Sequence, residues 1–99
     1  MRLTTEQADT IRRIVSEKAG EGAVVRLFGS RLDDAARGGD VDLLVELPCA
    51  IDNPALFAAR LSALLTRALH GRRVDVLLSA PNLKTLPIHA IAARDGATL

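Results

Sequence analysis

Three aspartates on two short apolar runs carry the chemistry legible in this chain. In Gly39-Asp40-Val41-Asp42-Leu43-Leu44-Val45, two carboxylates alternate with Val41, Leu43 and Val45. In a strand, residues i and i+2 share a face. Asp40 and Asp42 are therefore expected side by side, with the valines and leucine turned into a core. A third acid, Asp75, stands in the middle of Arg73-Val74-Asp75-Val76-Leu77-Leu78. Like charges held this close repel unless a cation lies between them. Hard divalent ions such as Mg²⁺ take oxygen ligands of this kind and share them with substrate phosphates. Three carboxylates on two neighbouring strands can hold two such ions, which together clamp the attacking and leaving oxygens of an in-line phosphoryl displacement.

A phosphate-binding element precedes the acids. Leu27-Phe28-Gly29-Ser30-Arg31 reads as the end of an apolar strand, a Gly-Ser turn and a helix start. A helix N-terminus offers free N–H groups and the positive end of a dipole. Gly29 lets the backbone approach closely, and Ser30 can donate its hydroxyl to a phosphate oxygen.

The rest of the chain must position these groups. Thr4 and Gln7 have the spacing of a capping box, and Ala8, Ile11, Ile14 and Val15 follow with helical period until Gly20 or Gly22. A buried strand is expected over Ala23–Phe28. A short helix from Ser30 to the Gly38-Gly39 pair follows, with Asp33 as the partner of Ser30 in its cap. The second strand runs over Asp40–Glu46. Asn53-Pro54 starts a long helix, since Pro suits the first helical position. Its apolar face is Leu56, Phe57, Leu61, Leu64, Leu65, Ala68 and Leu69. The third strand spans Arg73–Leu78, with Val74, Val76 and Leu78 on one face and Asp75 and Leu77 on the other. Pro87 opens a closing helix that ends at Gly96. The expectation is one α/β (α+β) domain over residues 1–99, a small mixed three-stranded sheet flanked by about four helices.

Composition narrows the function. The net charge of +1 carries no global field towards nucleic acid, and the apolar runs are broken by charges, so no segment is expected to cross a membrane. The first residues lack the apolar stretch of a signal peptide, and Cys49 is a lone cysteine; both fit a cytoplasmic protein. No His/Cys cluster suggests zinc.

At this point the chain resembles the DNA polymerase beta-like nucleotidyltransferase superfamily. Gly29-Ser30, Asp40-x-Asp42 and a later Asp75 form its pattern, and the run LFGSR…GGDVDLLVE is most similar to minimal nucleotidyltransferases, the small partners of HEPN-domain proteins in toxin–antitoxin pairs. The resemblance covers nearly the whole chain. It implies that Asp40 and Asp42 bind both metal ions, and that Asp75 binds the catalytic one and helps deprotonate the acceptor. It implies that Gly29 and Ser30, with Arg31 beside them, hold the triphosphate. It further implies a Mg²⁺-dependent enzyme that moves AMP from ATP to a hydroxyl of a partner HEPN toxin, a tyrosine in that family, in a hetero-oligomer, and so acts as an antitoxin. The alternative is an antitoxin that inhibits by contact alone. Small-molecule transfer, as in antibiotic-modifying relatives, would call for a further domain.

There are two departures from the pattern: Gly39 stands where many relatives have Ser, and Asp33 and Asp34 lie near the phosphate turn. Simpler readings stand beside the functional ones. Asp40 and Asp42 as solubility residues and Ser30 as a plain cap would explain the motif without chemistry. Arg72-Arg73 reads either as a guide for triphosphate or a partner, or as an exposed basic pair. Arg26 reads either as a residue reaching the site or as one reaching solvent at a sheet edge. His70 suits a helix end as a cation and is assigned no chemistry, and His89 reads as a structural or exposed residue instead of a base.

Overall fold

The computed structural model describes residues 3–28, 41–83 and 97–99. Two helices and four strands run in the order α1 (Thr5–Ala19), β1 (Val24–Phe28), β2 (Val41–Glu46), α2 (Pro54–Ala68), β3 (Val74–Ser79) and β4 (Ala97–Thr98).

Local signals set both helices. Gln7 N donates to Thr4 Oγ1 at 3.0 Å and Thr4 N donates back to Gln7 Oε1 at 2.9 Å, a complete capping box. Gly20, at φ 92°, ends α1 in a conformation that strains residues with a Cβ. Asn53 caps α2 by accepting from Leu56 N, with Pro54 as its first residue.

The strands form one mixed sheet in the order β3-β2-β1-β4. β1 and β2 are antiparallel, with Leu27 opposite Leu43 and Phe28 opposite Asp42. β2 and β3 are parallel, which requires a crossover that α2 supplies. Both helices lie on one face. Ile11 and Val15 of α1, with Leu61 and Leu65 of α2 and Leu69 just beyond it, pack on Val25, Leu27, Val41, Leu43, Val45, Val74 and Leu78. Val41, Leu43 and Val45 are fully buried, as their alternation with acids requires.

The expected α/β fold is the one observed, with one addition. The sheet has a fourth strand: Thr98 pairs with Arg26 and Ala97 with Leu27, and Leu99 N donates to Val25 O at 2.9 Å. Two residues cannot display the alternation from which strands are read, so only pairing reveals this one. The expected helices after Ser30 and from Pro87, and the phosphate turn itself, lie outside the described residues.

Candidate active site

The face away from the helices carries the acids. β2 presents Asp42, Leu44 and Glu46 there, and β3 presents Asp75, Leu77 and Ser79 in direct register: Asp42 opposite Asp75, Leu44 opposite Leu77, Glu46 opposite Ser79. Residues in register on adjacent strands share a face, and the strands lie about 4.8 Å apart. Two residues from β2 and β3 that are 33 positions apart in sequence thus become nearest neighbours. The structure brings Asp42 and Asp75 together; Asp40, Gly29, Ser30 and Arg31 lie outside the described residues.

The strand that bears Asp75 is clamped from its outer edge. Val74 N donates to Thr66 Oγ1 at 3.0 Å, and Ser62 Oγ donates to Val74 O. On its inner edge, Val41 N donates to Arg73 O at 2.8 Å. The backbone immediately before Asp75 is therefore held on both sides. The sequence does hint at this clamp: Ser62 and Thr66 stand four apart, on one stripe of an otherwise apolar helix. At Val74 the polar atoms of that edge are satisfied by side chains instead of another strand.

The basic residues divide. Arg72 Nη1 donates to Gln7 Oε1 at 3.3 Å, tying the start of β3 to α1. Arg73 Nε donates to Asp75 Oδ1 at 3.1 Å, with 71% of the Arg73 side chain and 47% of the Asp75 side chain exposed. The two arginines, read together from sequence, have different partners. Arg26 is on the same sheet face as Asp42, but its guanidinium pairs with Glu46 and donates through Nη1 to Thr98 Oγ1 at 3.0 Å. Glu46 is four residues from Asp42, about 13 Å along the strand. Arg26 thus ties β4 to the far end of the sheet. Leu44, 1% exposed, sits between the two charged ends of this face.

The carboxylate pair is not lined by the clefts seen among the described residues. One such cleft lies beyond the other end of β2, bordered by Ala19, Leu47, Cys49, Ile51 and Phe57. Cys49 is exposed. Among the described residues no three His, Cys, Asp or Glu side chains converge as metal ligands. No described helix is long and apolar enough to cross a membrane.

A model of the nucleotidyltransferase domain family matches residues 8–93. The chain belongs to that family. The match runs from α1 through all three longer strands and takes in both described acids. No curated protein matches the chain. Domains of this family act on a nucleoside triphosphate with a divalent metal. The donor set fits a hard ion: Asp42 and Asp75 offer carboxylate oxygens, in register and partly exposed to solvent.

Proposed function

We propose that this nucleotidyltransferase moves AMP from ATP to a tyrosine hydroxyl of a partner HEPN-domain toxin and so neutralises it. The observation that carries the reading is the register that sets Asp75 opposite Asp42. Two carboxylates buttressed by the same sheet keep their spacing without any movement of the strands, which suits chemistry that depends on positioning and electrostatics.

In this reading Asp40, Asp42 and Asp75 hold two Mg²⁺ ions, and Gly29, Ser30 and Arg31 hold the triphosphate. Bound metal offsets charge on the phosphates and on the leaving pyrophosphate. The acceptor oxygen attacks the α-phosphorus, and the bond from that phosphorus to the bridging oxygen of pyrophosphate breaks. Asp75 receives the hydroxyl proton and passes it to solvent, while pyrophosphate leaves with the bond's electron pair. The hydrogen bonds of Ser62 and Thr66 to Val74 hold the backbone that bears Asp75.

The chain contains no tyrosine, so a tyrosine acceptor lies outside it, which fits a second protein. The partner then supplies both the hydroxyl and part of the acceptor surface, in a hetero-oligomer. Labelled ATP and Mg²⁺, added to this protein with its co-expressed partner, should label the partner and leave this chain unlabelled. Mass spectrometry should find added AMP on a partner tyrosine, lost in Asp40→Asn. A partner that is neutralised without modification would refute transfer and favour inhibition by contact.

A further inference from the structure

Three clefts among the described residues adjoin around the start of α2, and Phe57 borders all of them. One lies between the end of α1 and α2, walled by Lys18, Phe57, Arg60, Leu61 and Leu64. The second passes Cys49 and Ile51 in the loop after β2, and the third passes Leu56. Together they follow α2 from Leu56 to Leu64, about 12 Å of helix. Their near end, at Leu47, is about 16 Å along β2 from Asp42. Leu56 is 43% exposed, and Phe57 and Leu64 are half-buried. A groove open along its length suits side chains of a second protein better than an enclosed small molecule.

The loop that walls this groove is fixed in advance. The side-chain amide of Asn82 engages both polar groups of the Ile51 backbone: Ile51 N donates to Oδ1 at 3.0 Å, and Nδ2 donates to Ile51 O at 2.8 Å. Pro48 sits so close to Gly22 that a Cβ there would lie 3.0 Å from Pro48 Cγ. A preformed surface loses little conformational freedom on association. The charge on the rim selects the occupant. Lys18 and Arg60 are exposed, make no ion pair among the described residues, and both border the cleft between the helices. Asp52 borders the other two clefts but not that one. Glu17, beside Lys18 in sequence, pairs with Arg13 at 3.8 Å, and Glu21 borders none of the three.

We infer that this groove docks an acidic, apolar segment of the acceptor protein, its apolar side chains seated around Phe57 and its carboxylates facing Lys18 and Arg60. The inference rests on the proposed protein acceptor. The segment that docks is distinct from the one that carries the modified hydroxyl: the groove supplies affinity, and the carboxylate site supplies chemistry.

Cys49, the single cysteine of the chain, is exposed on the groove wall and reports its occupancy. Iodoacetamide is added to this protein with and without the purified co-expressed partner, and alkylation of Cys49 is followed by the mass of this chain. Partner at ten times its Kd leaves about a tenth of the protein unoccupied, so alkylation should slow about tenfold. Reversing both charges, with Lys18→Glu and Arg60→Glu together, should raise the Kd about ten- to hundredfold. Arg60→Lys should keep the Kd within about threefold, because the charge remains, and added salt should weaken wild-type binding. Three results overturn the inference: a bound partner that leaves Cys49 unprotected, a charge-reversed variant that binds as the wild type does, or protection that grows with the concentration of this chain alone, which would make the occupant a second copy. The reading beneath it is tested separately. A partner that protects Cys49 but gains no AMP refutes transfer and keeps the docking site, whereas a partner that gains AMP without protecting Cys49 refutes the docking site and keeps transfer. A partner that neither binds nor gains AMP refutes both.

Discussion

Asp75→Asn should leave the protein at least as stable as the wild type without metal, and less stable than the wild type with it. The register puts the Asp75 carboxylate beside that of Asp42 on the adjacent strand. At about 5 Å, two unit charges repel by on the order of 1 kcal/mol in a water-like dielectric, less when salt screens them. Asparagine removes that repulsion. It also removes the ion pair with Arg73, which at its exposure is worth at most a few tenths of a kcal/mol. The net change is a gain of between zero and about 1 kcal/mol, or a rise of up to roughly 5 °C in Tm for a domain of this size. Saturating Mg²⁺ reverses the order. At ten times its Kd, a ligand stabilises the folded state by about 1.4 kcal/mol, and the variant forgoes most of that. Thermal unfolding of both proteins in EDTA and in Mg²⁺, at fixed ionic strength, measures the four values. A variant more than about 1.5 kcal/mol less stable in EDTA would show that Asp75 is a structural residue. An equal Mg²⁺ increment in both proteins would show that Asp75 holds no metal.

Two further predictions follow from the packing. Thr66→Val keeps the side-chain shape but leaves Val74 N without its acceptor; urea unfolding should show a loss of about 1–2 kcal/mol, and a value near zero would mean that the clamp does not form. Leu65→Ala opens a cavity under α2 at a fully buried position; the expected loss is about 2–5 kcal/mol, and a loss below about 1 kcal/mol would mean that α2 does not pack on the sheet through this face.

The sequence by itself determined whatever depends on a few consecutive residues. The Thr4/Gln7 box, the Gly20 stop, the Asn53-Pro54 start and the inward turn of Val41, Leu43 and Val45 are set by bonds and alternation within one turn or one strand, and all are found where the residues put them. Strand bounds shifted by a single residue, Val24 for Ala23 and Val74–Ser79 for Arg73–Leu78. The pattern of Gly29-Ser30, Asp40-x-Asp42 and Asp75 led to the nucleotidyltransferase family to which the chain belongs.

What joins distant segments was decided only by tertiary structure. Alternation says that Asp75 lies on the face opposite Val74 and Val76, but not which residue of β2 stands beside it. A slip of two residues along the strand would keep every side chain on its face and move Asp75 opposite Leu44. The crossover through α2 and the seating of Leu61 and Leu65 on Val41, Leu43 and Val74 settle that choice. The same holds for the arginines. Arg26 reaches Glu46 because β1 and β2 are antiparallel in this register, Arg72 reaches Gln7 because α1 packs beside α2, and β4 exists because Arg26 and Val25 offer it an edge. Local residue types fix which groups can do chemistry; the long-range packing of helices on one sheet face fixes which of them meet.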